Sequence, residues 1–256
     1  MISKRVVVIV LAVVVAASSV AAMSQDIFGR RGEPASDYGN LKYDDRLTFV
    51  RIRYTSGLGA FNRRGSRGEL PWAHDYPTAD IHLMKIVKEL TMAAPHIDGS
   101  NVLTLDDPQL FNYPIAYMSE PGFWTASDAE IAGLRNYLLK GGFIIFDDFR
   151  GPDWNNLEEQ MRRAMPGGRW IALDLKHQIF NSFFEIKNFS FGQYGQETYY
   201  GMFEDNDPTK RMFAIAGHNQ DLGEFWEYSD TGYLPIDLSN EAYKYGVNFY
   251  MYALTH

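Results

Sequence analysis

Across residues 114–151 the apolar and polar positions fall into two short runs and one stripe. Residues 115–118 form an apolar run after Pro114, and 143–146 are an unbroken run of aromatic and β-branched residues. Both suit strands covered on two faces. Between them, Ile131, Leu134 and Leu138 recur at helical spacing, so one face of a helix is apolar. Ser127 and Glu130 have the S-x-x-E spacing of a capping box, and Gly141-Gly142 supplies a left-handed exit. A strand, a crossover helix and a second strand this close together imply parallel pairing with a right-handed connection. Asp147 and Asp148 then stand where the second strand ends, on the edge at which open α/β sheets bind ligands.

The pattern continues on either side. Residues 47–54, with alternating Arg51 and Arg53, predict a strand with a polar side, or guanidiniums that reach the strand's end. Leu83, Ile86, Val87 and Leu90 predict the buried face of a helix over 80–90, and 102–105 predict a second strand. Further on, the pattern predicts a helix over 157–165, strands over 170–173, 198–203 and 211–216, and a C-terminal helix over 240–254. The order strand, helix, strand, strand, helix, strand fits a flavodoxin-like, mostly parallel sheet with helices on both faces. In that arrangement the loop after Thr55, residues 119–123 and residues 147–150 converge on one crevice.

The N-terminus changes the picture of where the protein works. Lys4 and Arg5 precede an apolar run and the small-residue stretch Ser18-Ser19-Val20-Ala21-Ala22, the layout of a secretory signal cleaved near Ala22. Residues 1–22 are therefore expected to be a signal peptide, with an uncleaved anchor as the rival. Residues 23–44 are expected to be a flexible arm, and 45–256 a single domain in the periplasm or outside the cell. Only an uncut leader would bring the protein to a membrane. The formal charge is -8, and a chain that acidic is poorly matched to nucleic acid. The absence of cysteine excludes disulfides, a lipid-modified cysteine, thiolate metal sites and a cysteine nucleophile.

The candidate chemistry is carried mainly by carboxylates. Asp147 and Asp148 can act as an acid/base pair if burial or mutual repulsion splits their pKa values. They can equally cap the next helix, pair with Arg150 or bind a ligand. Glu120, at the end of the preceding strand, faces the same expected crevice. With Asp147 and Asp148 it offers hard oxygen donors, but the spacing matches no recognised metal motif, and no metal or cofactor is expected. His74 and His177 are candidate bases. Arg63 and Arg64 lie in a glycine-rich loop suited to an anion, although the G-K-[ST] of a phosphate loop is missing. Trp72, Trp124, Trp154 and Trp226 offer either packing or stacking faces. No G-x-S-x-G elbow occurs.

Several motifs, taken in order, resemble one bacterial family, domain of unknown function 4159. They are Met118-Ser119-Glu120-Pro121-Gly122, Leu134-Arg135-Asn136-Tyr137-Leu138-Leu139, Gly141-Gly142-Phe143, Asp147-Asp148-Phe149 with Gly151, Trp154, and His177 with Ile179-Phe180. Asn219-x-Asp221-x-Gly223, Trp226-Glu227, Gly246-x-Asn248 and Tyr252-Ala253-Leu254-Thr255-His256 complete the set. The resemblance spans about residues 47–256. It implies a fold similar to class I glutamine amidotransferases and to trehalose-utilisation-type domains, and no particular reaction. Where amidotransferases carry a nucleophilic cysteine after a strand, this chain has Asp147 or Asp148. Where the family more often has Asp-Ala before Trp-Glu, it has Glu224-Phe225.

These readings lead to an exported, non-catalytic binding or assembly module, with carbohydrate or cell-envelope glycan as the ligand class. The glycan class rests on the aromatic content and on the trehalose-utilisation likeness. The ligand-binding residues expected are Glu120, Asp147, Asp148, Arg150, Trp154, Arg63 and Arg64. Two alternatives stand beside it: a hydrolase using Asp147, Asp148 and His177, and a structural partner of an envelope complex.

Overall fold

The computed structural model describes residues 38–57, 70–189 and 195–256. The leader, residues 23–37 of the expected arm, and Arg63 and Arg64 lie outside the described residues.

Nine strands occur in the described chain: β1 (Val50–Ile52), β2 (Thr55–Ser56), β3 (Asn101–Leu103), β4 (Ile115–Ser119), β5 (Trp124–Thr125), β6 (Phe143–Phe149), β7 (Trp170–Ala172), β8 (Thr198–Phe203) and β9 (Met212–His218). Five helices accompany them: α1 (Thr78–Leu90), α2 (Asp128–Leu139), α3 (Asp153–Ala164), α4 (Leu222–Glu227) and α5 (Ile236–Thr255). Seven strands form one sheet in the order β3-β1-β4-β6-β9-β8-β7, and β2 pairs antiparallel with β5 in a separate two-stranded ribbon. Pairing is parallel from β3 through β9 and antiparallel for β8 and β7. The chain is thus a mixed α/β fold with a mostly parallel central sheet.

Two cores follow from the period-two alternation of the central strands. Ile115, Tyr117, Phe143 and Ile145 pack on one face with Leu83 and Val87 of α1, Trp226 of α4 and Phe249 of α5. Ala116, Met118, Ile144 and Phe146 pack on the other with Leu134 and Leu138 of α2 and Leu157 and Met161 of α3. β1, β4 and β6 are buried along their whole lengths, as strands covered by helices on both faces are.

The punctuation of α2 is as the sequence implies. Ser127 Oγ accepts from the Glu130 N–H at 3.2 Å, and the Ser127 N–H donates to Glu130 Oε2 at 2.8 Å. Other expectations need correction. Leu90 ends α1 and is exposed, because the helix leaves the sheet there. Arg51 presents no polar side. It is fully buried and its guanidinium binds Asp80 on α1, with Nε 3.1 Å from Oδ1. The end of the expected arm is tied down as well. The Asn40 side chain donates to Val102 O at 3.0 Å and accepts from Val102 N at 2.8 Å. It thereby occupies the open edge of β3.

Gly133 is where α2 meets the backbone after β3. A Cβ there would lie 2.0 Å from Leu105 O, which is backbone and cannot swing away. Gly133→Ala is expected to lower unfolding free energy by about 1–3 kcal/mol through forced separation of the helix from the sheet. Urea denaturation checks this, and an unchanged midpoint would contradict the packing described.

Candidate functional site

The carboxyl end of β6 carries the site. Ser119 of β4 pairs with Asp147 of β6, and the register with β9 shifts between Phe146 and Phe149. At this irregularity Asp148 adopts a left-handed backbone, φ 53°. Bulges of this kind re-aim side chains and recur beside functional sites. The strict alternation of a flat strand would send the two aspartates to opposite faces. Here the charge of Asp221 bears on both of them.

Asp147 is fully buried and has a structural task. Its Oδ2 accepts from the Tyr117 hydroxyl at 2.9 Å, the Leu222 N–H at 2.9 Å and the Gly223 N–H at 3.1 Å. It thus anchors the start of α4 to the sheet. Asp221 caps the same helix, its Oδ1 accepting from the Glu224 N–H at 3.0 Å. Burial, reinforced by Asp221, pushes the Asp147 carboxyl up to about 7, and the hydrogen bonds it receives offset only part of that.

Asp148 faces His74, with Oδ2 2.7 Å from Nδ1. His74 comes from the turn before α1, and Arg51 fixes that turn by donating from Nη1 to His74 O at 2.8 Å and Trp72 O at 3.2 Å. Next to it, Asp75 is buried, and neither of its carboxylate oxygens has a hydrogen-bond donor among the described residues. The nearest cationic group is His74 Nε2, 3.9 Å from Oδ1. Gly223 permits this approach: a Cβ there would lie 2.3 Å from Asp75 Oδ2. Burial and the Asp221 charge push the Asp75, Asp148 and Glu224 carboxyls up. Burial pulls the His74 imidazole down, but the surrounding carboxylates, Asp75 first, outweigh it and hold it above its ordinary value.

The structure sorts the residues expected from sequence. Asp147 and Asp148 lie near the carboxyl end of a central parallel strand, which runs on to Phe149. Glu120, left-handed at φ 45°, donates its N–H to Asp147 O at 3.1 Å, and its charge acts on Asp148 and His74. The charge of Arg150 acts on Asp148 and Glu224. Trp154 packs instead in an aromatic group, its ring 4.5 Å from Tyr200 and 6.1 Å from Phe149. Trp72, Trp124 and Trp226 lie inside the cores and offer no stacking face. His177 is not in the site. Its ring packs on Phe203 and Tyr252, and Tyr252 packs on Phe143, the first residue of β6. Asp148 is five residues further along β6, about 16 Å at strand rise, so His177 lies at the opposite edge of the sheet and the Asp147–Asp148–His177 set is not assembled.

Asp75, Asp221 and Glu224 enter the site without having been singled out as ligands. The signals were faint: an acid beside His74, and the Asn219-x-Asp221-x-Gly223 motif. Two sets, His74 with Asp148 and Asp221, and His74 with Asp75 and Glu224, hold donor atoms within 4.8 Å of one another. A cavity of about 440 Å³ opens elsewhere, lined by Phe111, Tyr113, Tyr137 and Lys140 among others, with no carboxylate or imidazole in its wall. The cluster of carboxylates and His74 lies away from that cavity, at the carboxyl ends of β4 and β6.

The model of one protein family, a domain of unknown function (DUF4159), matches residues 48–254, most of the chain. The chain belongs to the DUF4159 family. The match begins just before β1 and ends within α5, so the sheet, both helical layers and every residue of the crevice fall inside the DUF4159 domain. No curated protein matches the sequence. Among the described residues, no helix is long and apolar enough to cross a membrane.

The raised carboxyls set a pH dependence. With Asp147 at about 7 folded and about 4 unfolded, the folded state holds more protons between those values. Stability therefore falls as pH rises through that window and levels off above it. In chelator-treated protein the urea midpoint is expected to drop from pH 5 to pH 7.5, and Asp147→Asn to flatten part of the drop. A midpoint that rises over the same range would contradict the assignment.

Proposed function

We propose that this DUF4159 domain is an exported binding module whose recognition site is the carboxylate crevice at the carboxyl edge of the sheet. The observation that carries the reading is Asp75, buried within the charge of Asp148 and Asp221, with both oxygens lacking a donor among the described residues. Buried carboxylates without donors or counter-charge are costly, so the crevice favours a ligand that supplies positive charge or several hydrogen-bond donors. A glycan rich in hydroxyls or amines has that character. Its support comes from the acceptor oxygens, since Trp72, Trp124 and Trp226 are buried in the cores. Export rests on the pattern of residues 1–22.

The finer fold reading, flavodoxin-like and similar to class I amidotransferases, is supported by the parallel order β3-β1-β4-β6. It is also supported by the left-handed Asp148 near the end of β6, just before the turn into α3, where that fold would carry its nucleophile. With no cysteine in the chain, the thiol reaction has no counterpart here.

One observation favours a hydrolase as the second reading. Asp148 and His74 stand 2.7 Å apart, the arrangement of an imidazole base held by a carboxylate. His74 takes the place that His177 was expected to fill.

A panel of envelope-glycan fragments and aliphatic amines, screened for binding and for turnover against protein recovered from the periplasmic fraction, tests these readings together. At least one compound is expected to bind without turnover, and Asp221→Asn to weaken it about tenfold or more. Turnover lost in His74→Gln would favour the hydrolase. Protein that stays in the cytoplasm with Met1 intact, or that binds no compound, would contradict the exported module.

A further inference from the structure

We propose that the crevice holds one divalent first-row metal ion, bound by His74 Nε2, Asp75 and Glu224, with Asp148 orienting the imidazole from behind. The inference rests on the reading of the crevice as the recognition site and names what that site first takes.

Acidic residues gather on many surfaces without binding anything, so the cluster alone decides nothing. The deciding observation is Asp75. The residue is 3% exposed, both carboxylate oxygens lack a donor among the described residues, and it lies in the set formed with His74 and Glu224. A carboxylate so deeply buried, with four lone-pair sites and no donor, is stabilised by a cation that replaces the lost water. The other charged groups near Asp75 do not serve. Arg51 is engaged by Asp80 and by two backbone carbonyls, and Asp148 and Asp221 add negative charge.

His74 presents its two nitrogens to different partners. Nδ1 is 2.7 Å from Asp148 Oδ2, and Nε2 lies toward Asp75. A metal-binding histidine nearly always donates its second ring N–H to a carboxylate or carbonyl, which fixes the tautomer and raises the basicity of the ligating nitrogen. Asp148 fills that role, and the bulge in β6 is what turns it toward His74. Glu224 is half-buried and gives the ion a route from solvent. Metal–ligand bonds of about 2.0–2.2 Å place donors up to about 4.4 Å apart, so a set within 4.8 Å closes with small side-chain rotations. One imidazole and two carboxylates favour zinc, manganese or iron over calcium or magnesium, which prefer oxygen alone. Three protein ligands also leave positions for water or for an oxygen or amine donor of the ligand.

The test is titration of chelator-treated full-length protein with zinc chloride, and separately with manganese, calcium and magnesium chlorides, followed by calorimetry and thermal unfolding. Zinc or manganese is expected to bind at one equivalent and raise the melting temperature. Asp75→Asn and Glu224→Gln should each weaken binding by at least about 100-fold, while Asp148→Asn weakens it about 10–100-fold. Circular dichroism separates loss of the site from loss of the fold, and Glu224→Gln, on a half-exposed side chain, is the variant least prone to unfold. The proposal is overturned if no dication binds, or if binding survives in both Asp75→Asn and Glu224→Gln. If no dication binds but an organic ligand from the panel still depends on Asp221, the metal inference fails and the recognition site stands.

Discussion

A single carboxylate, Asp147, holds the functional edge of this fold together. Its Oδ2 receives the Tyr117 hydroxyl from β4 and two N–H groups from the first residues of α4. Those bonds join the central strands to a helix that begins 75 residues further along the chain. They seat the helix over the strand ends and, with it, Asp221 and Glu224. Without that tie the crevice would lose one wall. A second tie, from Arg51 to the carbonyls of Trp72 and His74, holds the opposite wall.

The two ties have an electrostatic consequence. Both draw acidic groups toward the same point: Asp75 beside His74 on one side, Asp221 and Glu224 on the other, and Asp148 between them on its left-handed residue. A folded chain tolerates such a concentration only if protons or cations accompany it. Asp147 accommodates its own burial through three donors, and Asp80 through Arg51 and Ser100. Asp75 has no such arrangement within the described residues, and this asymmetry separates structural from functional carboxylates.

Much of the scaffold was legible in the sequence. Unbroken apolar runs marked β4 and β6, and a capping box marked the start of α2, because these are local signals that packing did not override. The site was legible only in part. Asp147 and Asp148 were found from their place at a strand's end. Their division of labour was not, because it depends on a bulge and on residues 74 and 75 positions distant. Arg51 read as a polar strand face because its partner Asp80 sits on a helix and no spacing rule links the two. Trp72, Trp124 and Trp226, read as candidate stacking faces, proved to be core, the default for large rings. His177 misled because proximity to aromatic residues says nothing about which end of a sheet a residue occupies.

The central claim is that Asp148 and His74 meet across the crevice with the imidazole's other nitrogen left for the ligand. The proton position on His74, read from long-range nitrogen–proton correlations of the imidazole ring, tests it most directly. The expected result is a proton on Nδ1 in the wild type that is lost or redistributed in Asp148→Asn. A ring whose Nδ1 carries no proton, and whose spectrum is unchanged by Asp148→Asn, would contradict the account.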